Sequence, residues 1–254
     1  SRGYRANGVN AAILASRELT DDPALGEQLE ALATFDEEHL VNYEAGFKGR
    51  FLTDTLRMRL ALFYMDRQDQ QARGSLVIPR EDGSTAFVDY TSNAAQGSNA
   101  GLELEIDWLA GDDLTLYANL GLLQTEFDEY VNADGADLSG RDQAHAPAYQ
   151  YAAGGRYDLG HGFYLRLDLE GKDDFYFSDR HEVKSPAQDL LHLRLGYTGG
   201  NWTAALWCRN LTDEDYYVRG FGSFGNDPRK GYIVEPYYQY GEPRLLGVSA
   251  SYSF

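Results

Sequence analysis

Eight residues of this 254-residue chain have the types and spacing to hold a small polar ligand: Arg166, Asp168, His192, Arg194, Tyr216, Tyr217, Arg219 and Phe221. Arg166 and Asp168 are two apart, as are His192 and Arg194. Residues i and i+2 of an extended chain share a face, so each pair sets polar groups side by side on one surface. The other four fall at the start of a Gly- and aromatic-rich stretch that runs to Tyr240 and adds Arg229 and Lys230. Guanidinium groups pair with carboxylates and aromatic rings stack on sugars or chelates, so the chemistry on offer is recognition rather than bond making. Two plainer readings compete. The loop residues could simply pack on one another, and His192 could be a wall histidine hydrogen-bonded to its neighbours.

Covalent chemistry finds less support. There is no phosphate-binding glycine loop, HExxH, GxSxG or Cys/His cluster at metal spacing, so neither a cofactor nor a metal site is expected. The five histidines, His39, His145, His161, His181 and His192, are scattered, and the single Cys208 can form no internal disulfide. Asp179 with His181, and Asp213 with Asp215, could activate a water as general bases, in the manner of a ten-stranded outer-membrane protease. Such spacings are frequent by chance and the surrounding sequence does not support them, so the chain is read as no enzyme. Lys and Arg total 22 against 40 Asp and Glu, and a net charge of -18 argues against a nucleic-acid partner.

The elements that must position these residues are strands. From Phe163 to Lys172, Phe163, Leu165, Leu167 and Leu169 alternate with Tyr164, Arg166, Asp168, Glu170 and Lys172. Period-2 alternation of this kind recurs at Leu102–Trp108, Leu191–Tyr197, Leu56–Tyr64 and Leu114–Leu122. About ten strands are expected, near residues 1–10, 40–50, 55–69, 85–109, 113–127, 147–159, 162–175, 188–198, 201–211 and 244–254. Tight turns at 50–55, 110–113, 160–162 and 198–201 alternate with connections of about fifteen to more than thirty residues, which is the plan of an antiparallel transmembrane β-barrel. The expected 85–109 strand is far longer than the five or six residues or so typical of globular sheets.

Mean hydropathy is low, at -0.49, which suits a barrel whose alternate residues face water as well as it suits a soluble protein. Tyr149, Tyr151, Tyr157 and Trp202 fit aromatic girdles, and Gly101 marks a close backbone approach. Asn210, Asp213 and Glu214 are placed to satisfy backbone groups where a strand ends. One helix is expected, in the first long connection, where Asp22 caps, Pro23 opens the first turn and Leu25, Leu29 and Leu32 share a face. The five long connections carry -7, -1, -4, -3 and -2, nearly all of the net charge, which makes an acidic rim. The segment starting at Ser1 has no signal-peptide features, so either a leader has been removed or the chain begins within a larger protein.

Several motifs occur in a telling order: SRGYRANGVN at 1–10, HLVNYEAGFKG at 39–49, LRMRLALFYMDRQDQQ at 56–71, NAGLELEIDW at 99–108, APAYQYAAGGRYDL at 146–159, LWCRNLTDEDYYVRGF at 206–221 and the terminal SYSF. Together they resemble the C-terminal part of a TonB-dependent outer-membrane receptor. The resemblance implies an outer-membrane barrel of about 22 strands with a plug, importing a scarce nutrient such as an iron-siderophore complex. Residues 1–254 are then the C-terminal portion of the barrel; the plug and its TonB-contacting segment cannot be found in them. Implied partners are the TonB complex through that plug, outer-membrane lipids and lipopolysaccharide, the small-molecule nutrient, and the barrel assembly machinery through Phe254. The competing functions are the ten-stranded protease already described and a passive porin or adhesin.

Overall fold

Antiparallel pairing of strands that follow one another in sequence organises the chain. The computed structural model describes all residues except 19–20, 80–84, 133–134, 180, 224–227 and 231–234. In chain order its elements are β1 (Arg2–Arg5), β2 (Gly8–Val9), α1 (Ala11–Glu18), α2 (Pro23–Ala31), β3 (Thr34–Phe35), β4 (Glu38–Phe51), β5 (Leu56–Pro79), β6 (Thr85–Leu109), β7 (Leu114–Tyr130), β8 (Tyr149–Gly160), β9 (Phe163–Lys172), β10 (Phe175–Tyr176), β11 (Lys184–Ser185), β12 (Gln188–Gly199), β13 (Trp202–Arg209), β14 (Tyr217–Ser223), β15 (Glu235–Tyr240) and β16 (Leu245–Tyr252). Ten strands form one sheet in the order β1-β4-β5-β6-β7-β8-β9-β12-β13-β16, and the remaining six pair two by two. All ten expected strands are present, and the four tight turns fall where alternation stops. No helix among the described residues is long and apolar enough to cross a membrane.

Three expectations need correction. The first strand is shorter than residues 1–10, because Gly8 and Val9 pair with Phe35 and Thr34 instead of continuing in the main sheet. The strand expected at 55–69 runs on to Pro79. A second helix, α1, lies in the first long connection, where only one helix is expected. Its sequence AAILASRE is rich in good helix formers, which outweighs the short Gly-Val alternation before it.

The chain divides into two compact units. The first comprises Ser1–Tyr43, Tyr64–Asn99 and Thr125–Gln143. Here Asp22 caps α2 by accepting from the Ala24 amide, with Pro23 in the first turn, as expected. Ile13 of α1 and Leu29 of α2 are fully buried and pack with Val88 and Tyr90 of β6. The helical connection is therefore a packed cover for the extended β5–β6 arms. Glu38 locks the same unit: its carboxylate accepts from the Gln71 amide (2.9 Å), from Arg67 (2.5 and 3.1 Å) and from Arg5 (3.5 Å).

The second unit comprises Glu44–Phe63, Ala100–Gln124 and Ala144–Phe254. Registers such as Leu167↔Leu193 and Arg166↔Arg194 carry the alternation of each strand across to its neighbour. One face thus bears Leu165, Leu167, Leu169, Leu195, Leu206, Leu246 and Val248, all exposed. A continuous exposed apolar band has the composition of a lipid-facing surface. At its short-turn end Trp202 packs on Tyr252, Tyr252 on Phe254 and Phe163 on Tyr197, while exposed Tyr157 joins the same girdle. At the other end Tyr149 stacks on Tyr151, whose hydroxyl donates to Asp189 (2.6 Å).

Two backbone features hold the wall. His161 adopts φ 52° between Gly160 and Gly162, both also left-handed, which closes the β8–β9 turn. A Cβ at Gly101 would stand 2.3 Å from the Phe63 ring and 2.7 Å from the Leu122 carbonyl, the close approach expected there. Because the carbonyl belongs to the ladder and cannot retreat, Gly101→Val should destabilise the barrel by about 1–3 kcal/mol. Urea unfolding from detergent micelles, followed by heat-modifiable gel mobility, measures this.

Glu38 generates a pH prediction. About ten residues suffice to cross the membrane, so Glu38 stands beyond the spanning part of β4. Burial alone would raise its carboxyl, but the Gln71 amide, Arg67 and Arg5 outweigh burial and hold it below its ordinary 4.5. A depressed carboxyl contributes stability above its unfolded value and loses it as pH falls through the folded one. Thermal unfolding between pH 7 and 3 should therefore show a loss in the parent below about pH 4.5 that is reduced in Glu38→Gln.

Candidate functional site

The polar phase of the strands in the second unit builds the site. Tyr117 comes from β7, Arg156 from β8, Tyr164, Arg166, Asp168 and Glu170 from β9, His192 and Arg194 from β12, and Trp207 and Arg209 from β13; Tyr216 and Glu242 join from the following connection. They line a cavity of about 800 Å³ on the face opposite the leucine band. Five of the eight sequence-picked residues, Arg166, Asp168, His192, Arg194 and Tyr216, are thus gathered into one place.

Asp168 is the hub. Arg166 donates to both of its carboxylate oxygens (2.9 and 2.8 Å) and the Tyr117 hydroxyl donates to Oδ1 (2.7 Å). Gly154 leaves room for this group, since a Cβ there would come within 2.8 Å of Asp168 Oδ1. On β8, Arg156 donates to Asp158 (2.7 Å), and its guanidinium lies 3.9 Å over the buried Tyr164 ring. His192 is held on both sides: Nδ1 accepts from the Asn210 amide (3.1 Å) and Nε2 is 3.4 Å from Glu170. The hydrogen-bonded wall histidine is therefore what the structure contains.

Asn210 fixes the exit of the chain from the wall. Its side-chain amide donates to the Glu214 and Glu242 carbonyls (2.8 and 3.2 Å), and its Oδ1 accepts from the Glu214 amide (2.8 Å). Asp213 accepts from the Arg244 amide (2.8 Å). These polar residues do satisfy strand-end backbone, as their positions suggested. Asp213 is thereby engaged in a backbone lock, while the His181 Nδ1 accepts from the Val183 amide.

The other sequence-picked residues go elsewhere. Tyr217 and Arg219 lie on β14, paired with β15, and Phe221 is opposite Tyr237 in that backbone register. The side chain of Phe221 lies outside the described residues, and so does part of the 216–240 stretch. Tyr217 joins an aromatic shelf with Tyr238 (4.7 Å), Tyr240 (5.0 Å) and Phe177 (5.9 Å). Phe177 is the buried anchor, seated where a Cβ on Gly220 would be 2.1 Å from its ring. The Tyr217 hydroxyl is raised by its hydrogen bond to Tyr240. His145 stands beside Phe175 at 5.8 Å; burial pushes its imidazole below the ordinary range, and nearby Arg219 and Lys172 act in the same direction.

Sequence reasoning passed over Tyr117, Arg156 and Glu170 as site residues, although each occupies the polar phase of its strand. It also passed over Phe177, whose ring reaches the shelf from a distant connection that carries no local signal.

An amphipathic antiparallel wall with an oily outside, charged inside, short turns at one end and long connections at the other defines a transmembrane β-barrel wall. The chain belongs to the TonB-dependent receptor family: the description "TonB dependent receptor-like, beta-barrel" matches residues 1–211. The family consists of outer-membrane transport receptors rather than enzymes. Similar solved structures include the ferric yersiniabactin uptake receptor of Yersinia pestis, 19% identical with TM-score 0.66 over 98% of this chain and 33% of the receptor. The siderophore receptor PiuA of Acinetobacter baumannii is 17% identical, with TM-score 0.63 over 85% and 28%. The ferripyoverdine receptor of Pseudomonas aeruginosa is 18% identical, with TM-score 0.58 over 87% and 28%. The chain spans about a third of the length of these receptors, and at such identities the likeness is one of fold.

Replacing Asn210 by Ala removes three hydrogen bonds at a nearly buried position, which should cost about 2–4 kcal/mol. Limited proteolysis of the folded receptor should then cut within residues 211–244 much faster than in the parent.

Proposed function

We propose that the chain supplies wall and outer connections to an outer-membrane receptor that imports a ferric siderophore, with energy passed from TonB to a plug. The observation that carries this reading is the pairing of a charged inner cavity with an aromatic and cationic shelf, Phe177, Tyr217, Tyr238 and Tyr240 beside Lys172 and Arg219. Aromatic rings hold the flat faces of a chelate, and cations neutralise its oxygen donors. Siderophore receptors among the similar folds support the substrate class. The acidic outer connections fit divalent cations bridging to lipopolysaccharide, and terminal Phe254 on an amphipathic strand fits recognition by the barrel assembly machinery.

Expressed as the full receptor in a host lacking its own siderophore receptors, the protein should restore iron-limited growth and labelled-iron uptake with at least one of a hydroxamate, catecholate or carboxylate complex. Uptake should vanish without TonB. Tyr217→Ala combined with Tyr238→Ala should weaken surface binding by about tenfold or more while the barrel still assembles. Growth on none of the three complexes would sink the reading.

A further inference from the structure

The geometry points to a carboxylate-binding site centred on Arg194, in the part of the wall nearest the short turns. It rests on the transport reading above and adds the ligand chemistry of one position in the cavity.

Arg156, Arg166 and Arg194 are direct partners across three neighbouring strands: Arg156 opposes Arg166, and Arg166 opposes Arg194. All three line the same cavity. Like charges placed directly opposite one another are destabilising, so such a row needs compensation at every member. Two members have it from the acid two residues along their own strand. Arg156 is paired with Asp158 and rests on Tyr164; Arg166 is paired with Asp168, its Nε donating to both carboxylate oxygens.

The third strand breaks the pattern. Arg-x-Asp on β8 and β9 becomes His-x-Arg on β12, and the histidine is already engaged by the Asn210 amide and Glu170. Toward β13, Arg194 faces Trp207, while the neighbouring Arg209 is matched to Glu242 (3.6 Å). Among the described residues Arg194 has no hydrogen bond or ion pair, and its side chain is open to the cavity. The row therefore ends in one guanidinium with its planar fork unused, next to a second that is held rigid.

That arrangement fits a carboxylate, which a guanidinium grips through two parallel hydrogen bonds. Arg166, Arg156 and Arg194 lie three to five residues from the ends of their strands at the short turns, roughly 10–17 Å along the wall. The site is thus a deep one, below the aromatic shelf. The carboxylate could be carried by an anionic cargo on its way inward or by a side chain of a protein segment filling the lumen.

The test uses the full receptor in the same host, comparing Arg194→Gln and Arg194→Lys with the parent, with assembly checked by heat-modifiable mobility. Probes are ferric citrate, a neutral ferric trihydroxamate, and vancomycin, which enters only through a leaking barrel. A cargo carboxylate predicts that Arg194→Gln slows ferric citrate import about tenfold while trihydroxamate import and vancomycin exclusion are unchanged. A lumen-segment carboxylate predicts equal effects on both complexes together with vancomycin entry. In either case Arg194→Lys, which keeps the charge and loses the fork, should be milder, and it carries the test if the Gln variant fails to assemble. Parental behaviour in all three assays overturns the site. A parent that imports neither complex defeats the transport reading instead, and vancomycin entry then decides this one.

Discussion

Backbone hydrogen bonding is the constraint on which everything else here depends. A chain in hydrocarbon must satisfy each amide and carbonyl from within, and the antiparallel ladder gives every strand from β5 to β13 of the main sheet a partner on both sides. The ladder in turn forces side chains to alternate between two solvents. The leucine band and the charged cavity are consequences of the same register, since moving any strand by one residue would exchange them.

This is also why so much of the fold was legible before any coordinates. Alternation is local, and in this chain it is nearly unbroken from Phe163 to Lys172 and from Leu56 to Tyr64, so strands and tight turns could be counted directly. Legibility ended where alternation ended. Gly8–Val9 pair with Thr34–Phe35, and the α1 helix packs through Ile13 on Val88 and Tyr90, partners that are all remote in sequence. The cavity was half visible. Arg166, Asp168, His192 and Arg194 could be placed on the polar phase, but their cross-strand order could not be read from spacing. Tyr117 was missed because a tyrosine in that phase looks like any other interfacial ring until its hydroxyl is seen on Asp168. The shelf was visible only as the aromatic stretch from Tyr216 to Tyr240, for its anchor, Phe177, comes from a separate connection.

Charge follows the same division of labour. Within the wall several charged groups are neutralised at short range, Arg166 by Asp168, Arg156 by Asp158 and Arg59 by Glu105. The net negative charge belongs to the connections. Unmatched charges are costly where solvation is poor, whereas water and salt screen them on exposed connections. An acidic balance that would suggest a soluble protein on composition alone thus comes almost wholly from the connections between nearly neutral strands.

The lock at Asn210 separates two kinds of evolutionary change. One side chain grips the carbonyls on both arms of the connection between β13 and β16, so the chain leaves and re-enters the wall at a fixed point whatever lies between. Closure entropy grows only slowly with loop length once the ends are held together. The segment beyond Asn210 is therefore an exchangeable cassette: its length and sequence can change while the ladder beneath it is left undisturbed.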